Sequence, residues 1–208
     1  MTKIYPINQL TPAQQDEVIL AIQAGALVAF ATDTVYGLGA NAFDETAIQR
    51  IYQLKQRPIS SALQILIGSI EQAKQIVQWS EPADKLARAY WPGALTLIML
   101  PNQKGQALRR GFTGIGLRVP AHAALQGLLR ALPAPLASTS ANLHGQPVWT
   151  TQEEVIASLQ GKVEYILTGG TLSAVASSVV DLTGEPKLLR EGSLSRQELE
   201  KVLTIPLK

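Results

Sequence analysis

Short apolar runs alternate along the chain with stretches of helical periodicity, a pattern that predicts strands and helices in turn. Thr11-Pro12-Ala13-Gln14 has the form of a capping box with proline in the first helical position. Val18, Ala21 and Ile22 then share one face, and Gly25 closes the helix. Leu27–Ala31 is an apolar run of strand length. Asp44 caps a second helix with Ile48, Ile51 and Leu54 inward. It stops near Arg57-Pro58, because the residue before a proline is driven out of the αR region. Strand Leu63–Ile67, helices near 69–78 and 81–90, and strands Leu95–Leu100 and Gly114–Val119 follow. A helix around 121–132 precedes a strand at Pro135–Ser138. Helix 151–159, strand 164–167, strands near 178–182 and 187–190, and a helix capped by Ser195 with Glu198 complete the pattern. No repeat, biased segment or Pro/Ser linker divides it, so a single α/β domain is expected.

Composition narrows the chemistry. Of 208 residues, 46% are apolar and 16% charged, which suits a packed core rather than a disordered chain. The absence of cysteine removes disulfides, a thiol nucleophile and thiolate zinc sites. His122 and His144 are the only histidines, so a zinc held by several imidazoles is not expected, and no resident metal site is assigned. The start, MTKIYPINQL, lacks a basic-then-apolar signal, and runs such as Ala24–Ala31 are too short to span a bilayer. A cytoplasmic location without membrane contact is the expectation. With a net charge of only +2, any electropositive site must come from local placement of Lys and Arg.

Three polar segments fall where strands or helices end. Thr32-Asp33-Thr34-Val35-Tyr36-Gly37-Leu38-Gly39 follows the first apolar run, and its hydroxyls and glycines suit either a ligand loop or a plain turn. Its Gly37-x-Gly39-x-x-Ala42 is a poor dinucleotide fingerprint, being five residues from the strand and lacking the distal acid. Lys55-Gln56-Arg57-Pro58 ends a helix, where cations relieve the dipole or clamp phosphates. Ser138-Thr139-Ser140-Ala141-Asn142 follows a strand, the place where open α/β sheets bind ligands, though a hydroxyl-rich cap would read the same. There is no phosphate-binding Gly-x-x-x-x-Gly-Lys-Ser/Thr loop, and no Gly-x-Ser-x-Gly elbow to pair Ser140 with His144. Arg118, inside Gly116-Leu117-Arg118-Val119-Pro120, needs a partner or an open pocket, and Arg190 ends another apolar run. Several cations near strand ends favour a polyanionic ligand.

Seven blocks in order then resemble the YrdC-like family, and within it the threonylcarbamoyl-AMP synthases. They are residues 32–39, Lys55-Gln56-Arg57-Pro58, Trp91-Pro92-Gly93-Ala94-Leu95-Thr96, residues 117–122, Ser140-Ala141-Asn142, residues 177–181 and residues 188–192. The resemblance implies a single domain over 1–208 (core about 7–192), with a twisted mixed sheet flanked by helices around an electropositive groove. It implies formation of threonylcarbamoyl-AMP and pyrophosphate from L-threonine, bicarbonate and ATP with Mg²⁺. The product would pass to a tRNA threonylcarbamoyl transferase complex for position 37 of tRNAs. Lys55, Arg57, Ser140, Asn142 and Arg190 fall at nucleotide positions, with Lys55 and Arg57 catalytic, and Thr32, Arg118, Ser138 and Ser177 at threonine positions. The chain ends soon after the last block, as in the single-domain form. Ala31 and Ala62 stand where many relatives carry proline, Leu66 where long forms often carry His, and Gly114 where some carry a hydroxyl. Two other classes remain: a non-catalytic RNA-binding or ribosome-maturation module, for which few aromatic stacking platforms are available, and hydrogenase-maturation carbamoyltransferases, which carry additional cysteine-bearing domains.

Overall fold

Local signals in the sequence fix most of the element boundaries seen in the computed structural model, which describes residues 1–208 except His144, Gly170, Thr171 and Ala174. The chain runs β1 (Lys3–Pro6), α1 (Pro12–Gln23), β2 (Val28–Phe30), β3 (Gly37–Asn41), α2 (Glu45–Lys55), β4 (Gln64–Leu66) and α3 (Ile70–Lys74). It continues α4 (Glu81–Tyr90), β5 (Leu95–Met99), β6 (Ile115–Arg118), α5 (Ala123–Ala131) and β7 (Leu136–Ser140). Last come α6 (Gln152–Leu159), β8 (Tyr165–Thr168), β9 (Ser178–Asp181), β10 (Lys187–Arg190) and α7 (Arg196–Leu203). Thr11 and Gln14 exchange side-chain and backbone hydrogen bonds at the start of α1, and Thr151/Glu154 and Ser195/Glu198 do the same for α6 and α7. Asp44 caps α2, and Gln56 ends it in the left-handed conformation at φ 49°.

The strands form one mixed sheet in the order β1-β8-β2-β3-β7-β4-β6-β5-β9-β10. One face is covered by α2, α3, α4, α6 and α7, through Ile48, Ile51, Ala73, Leu86, Val155 and Leu199 among others. The other face is covered by α1 and α5, whose Val18, Ile22, Leu125 and Leu129 pack on Phe30, Leu66, Leu136 and Leu167. That apolar cover stops short. Two residues from Leu66 and Leu136, on the same faces of β4 and β7, stand Gln64 and Ser138. Beyond them the sheet surface mixes polar with a few apolar residues, which are not among those packed by α1 and α5.

Three expectations shift. Residues 37–39, expected in a loop, belong to strand β3, which pairs with β2 and β7. The helix expected over 69–78 is confined to Ile70–Lys74, because Val77 bridges to Pro101 and the Gln78 N–H goes to the Leu100 carbonyl. Residues 3–6, assigned no element from the sequence, form an edge strand parallel to β8. Among the described residues no helix is long and apolar enough to cross a membrane.

Candidate active site

Strand register lines up a row of side chains across the uncovered part of the sheet. Ser138 on β7 pairs with Gln64 on β4, Gln64 with Gly116 on β6, Gly116 with Ile98 on β5, and Ile98 with Asp181 on β9. Four strand-to-strand steps make this row about 19 Å long. It is the floor of a cavity of about 510 Å³. The period of two puts Ile65, Leu97, Leu117 and Val180 into the core beneath it.

Six of the nine residues singled out from the sequence line that cavity: Arg57, Arg118, Ser138, Ser140, Ser177 and Arg190. Segments more than 130 residues apart in sequence thus meet on one surface. Among the described lining residues Asp181 is the one carboxylate, against three guanidinium groups.

Arg118 has both things a strand-borne charge requires, a partner and an opening. Its Nη2 donates to Asp33 Oδ1 at 2.6 Å, its Nη1 to Thr34 Oγ1 at 2.9 Å and its Nε to the Gly93 carbonyl at 2.9 Å. A guanidinium carries further N–H groups beyond these three bonds. Arg57 donates to Thr139 Oγ1 at 2.6 Å and to the Ala62 carbonyl at 2.9 Å, while its Nε is buried without a partner among the described residues. At the opposite end Arg190 donates to the Ser177 carbonyl at 3.0 Å and to Ser177 Oγ at 3.3 Å.

The other three lie one layer behind the wall. Thr32 Oγ1 donates to the Val35 carbonyl at 2.7 Å and accepts the Thr34 and Val35 N–H groups, which folds the loop that carries Thr34 to Arg118. Lys55 is 2% exposed, and its Nζ donates to the carbonyls of Ser140 and Asn142. Burial, and then the neighbouring Arg57 charge, push its pKa down to about 8. Asn142 donates to the Leu143 and Gln146 carbonyls at 3.1 and 2.6 Å, leaving its Oδ1 buried and without a partner among the described residues. Ala62 and Gly114 line the cavity, whereas Leu66 is buried under the α1–α5 layer. The Ala31 N–H donates to the Leu167 carbonyl at 3.0 Å, a bond that proline cannot make. His144 lies outside the described residues.

Thr139, of the hydroxyl segment 138–142, also lines the cavity, as do Gln64 and Thr96, neither of which the sequence reading assigned to the site. The available signal was a lone amide inside the apolar run Leu63–Ile67 and a hydroxyl inside Leu95–Leu100. A polar side chain in such a run either finds a buried partner or faces an opening.

The model of the Sua5/YciO/YrdC family, which carries the description "Telomere recombination", matches residues 20–192. The chain belongs to that family. A threonylcarbamoyl-AMP synthase of Pyrococcus abyssi is 43% identical over 189 residues, covering 88% of this chain and 55% of that protein. One from Vibrio campbellii is 35% identical over 182 residues, covering 85% of this chain and 98% of the relative. Among solved structures, P. abyssi Sua5 complexed with L-threonine superposes on this Sua5/YciO/YrdC chain with a TM-score of 0.90 at 37% identity. That match covers all of this chain and 62% of the other. The chain therefore spans just over half the length of the P. abyssi synthase it resembles.

Proposed function

We infer that this chain is an L-threonylcarbamoyladenylate synthase, a nucleotidyltransferase joining L-threonine, bicarbonate and the adenylyl group of ATP. The observation that carries this reading is the meeting of three arginines and a row of hydroxyls on one sheet face. In that groove Arg57 and Ser140 sit at one end, Ser177 and Arg190 at the other, and Arg118 between. The names of the relatives and the threonine complex of P. abyssi Sua5 support the choice of substrates.

The chemistry asks for positioning and fixed positive charge. The neutral amine of threonine adds to carbon dioxide derived from bicarbonate, giving a carbamate. A carbamate oxygen then attacks the α-phosphorus of ATP, and the bond to the β-phosphate oxygen breaks, releasing pyrophosphate. Negative charge grows on phosphoryl oxygens, where Arg57 and Arg190 act, with Lys55 adding its charge through the Ser140–Asn142 carbonyls it grips. Arg118, steadied by Asp33 and Gly93, holds the amino acid with Ser138 and Ser177, and Thr32 shapes the loop beside it. No covalent enzyme intermediate is needed.

The donor set suits a magnesium ion that arrives with the nucleotide. Asp181 is the carboxylate among the described lining residues; its Oδ1 accepts both Thr183 donors at 2.8 Å, and its second oxygen, without a hydrogen-bond partner among the described residues, would take a hydrated cation. Such an ion would supply charge neutralisation on the phosphates. The product would be handed to a tRNA-modifying transferase in the cytoplasm, and tRNA would not be needed for adenylate formation.

The test uses labelled ATP with each co-substrate omitted in turn. Pyrophosphate release should require threonine and bicarbonate together and ignore tRNA. Release that is indifferent to threonine would mean a generic ATPase, and salt-sensitive tRNA binding without release would mean an RNA-binding module.

A further inference from the structure

The floor of the groove contains a hydrogen-bonded chain that runs across the sheet from β4 to β10. Gln64 Nε2, on β4, donates to Thr96 Oγ1 on β5. Between them lies β6, and the residue of β6 in register with Gln64 is Gly116. With no side chain there, the amide of Gln64 passes over β6 to reach the threonine. A Cβ on Gly116 would lie 3.3 Å from Thr96 Cγ2, tighter than ordinary van der Waals contact. Thr96 Oγ1 is 2.8 Å from Ser177 Oγ, and Ser177 Oγ receives the Arg190 N–H at 3.3 Å.

The direction of these bonds matters more than their number. An arginine only donates, and through Nε2 the Gln64 amide donates as well, so an N–H enters the Thr96–Ser177 pair from each side. The two hydroxyls hold two protons between them. One is used in their mutual bond, and the other has no acceptor within the chain Gln64–Thr96–Ser177–Arg190. Both residues line the cavity, although Thr96 is only 5% and Ser177 only 3% exposed.

We propose that Gln64 is a positioning and specificity residue for the amino-acid substrate: by donating across Gly116 to Thr96, it draws no proton from the Thr96–Ser177 pair, so that one hydroxyl proton stays free for a carboxylate or carbamate oxygen. This rests on the synthase reading for the identity of the substrate. Gln64 does not itself act on the reacting atoms. It acts through Thr96, whose oxygen it keeps in the role of acceptor. Were that amide replaced by an obligate acceptor, Thr96 would turn its own proton toward it, and no hydroxyl proton would remain for the substrate.

Two variants probe this, Gln64→Leu and Gln64→Glu, with thermal melting to follow the fold. Titration calorimetry with L-threonine alone gives Kd, and pyrophosphate release gives the two KM values. Gln64→Leu should weaken L-threonine binding and raise its KM by about tenfold, while the KM for ATP stays within about twofold. Gln64→Glu should be at least as impaired near pH 8, where the new carboxylate can only accept. Its deficit relative to wild type should shrink as pH falls toward the ordinary glutamate pKa of about 4.3, where a protonated carboxyl donates again. A merely structural role would not give that acid rescue. Unchanged threonine Kd in both variants, equal effects on both substrates, or wild-type behaviour of Gln64→Glu near pH 8 would each overturn the proposal. If wild-type protein failed to bind L-threonine at all, the substrate assignment would fall and the proposal with it. Threonine binding without pyrophosphate release would overturn only the synthase reading, and the Kd comparison would still decide the role of Gln64.

Discussion

Lys55 shows how one residue can be read correctly as a cation and still surprise in its setting. At the end of α2 a lysine usually points to solvent and relieves the helix dipole. Here it is buried against two carbonyls, with its pKa held at about 8 rather than 10.5. Below about pH 8 both folded and unfolded chains carry the proton, and the folded state bears the whole penalty of burying it. As pH rises from about 8 to 10.5 the unfolded chain binds more protons than the folded one, so this group's contribution to stability increases. Activity should move the other way. We expect an alkaline limb near pH 8 in pyrophosphate release, displaced upward in Lys55→Arg, while this group's contribution to thermal stability rises over the same range. Arg57 should be more directly costly to lose: Arg57→Ala is expected to lower turnover at least tenfold, about 1.4 kcal/mol of transition-state stabilisation. Near-normal release from a folded Arg57→Ala protein would remove it from the phosphate site. Ser177→Ala strips an acceptor from Arg190 and a partner from Thr96. It should raise the KM for threonine by about tenfold and that for ATP much less, measured in the same assay.

At the scale of elements, the caps were legible and the glycine-rich strand was not. Thr11/Gln14, Thr151/Glu154, Ser195/Glu198 and Asp44 mark helix starts because a short side chain answers orphaned N–H groups within a turn, a local rule. Gly37-Leu38-Gly39 suggests a loop because glycine disfavours strands. The structure needs those glycines for a non-local reason. A Cβ on Gly37 would come within 2.5 Å of the Phe30 ring, and one on Gly39 within 2.8 Å of the Ala137 carbonyl. Only the neighbouring strands reveal the demand. Gln64 and Thr96 escaped notice likewise, since their significance depends on β6 lying between β4 and β5, an arrangement that no local pattern encodes. Gly116→Val should separate binding from folding at this point. A branched side chain on the groove floor is expected to leave the melting temperature within a few degrees while raising the threonine KM about tenfold or more, because it fills the path of the Gln64 amide. Unaltered kinetics would mean that the floor tolerates bulk there.

At the scale of the whole molecule, the seven ordered blocks of sequence become one surface because strands from both ends of the chain interleave. ATP, threonine and bicarbonate together should engage more of that surface than any one alone. With each ligand near a hundredfold above its Kd, one site contributes about 2.7 kcal/mol, or roughly 5–10 °C in a domain of this size. Melting curves with single and combined ligands would reveal whether the two ends of the groove act as one site. The same interleaving has a temporal side. β8 lies between β1 and β2, pairing Tyr165 with both Lys3 and Val28, and β9 pairs in parallel with β5. On a growing chain, β1 and β2 must therefore wait with open hydrogen-bonding edges until β8 has been synthesised. Such edges are sticky and such late, distant pairings slow folding. A nascent chain halted before Glu164 should accordingly aggregate or be degraded, and the end of the groove that holds Ser177 and Arg190 can form only after β9 and β10 have been made.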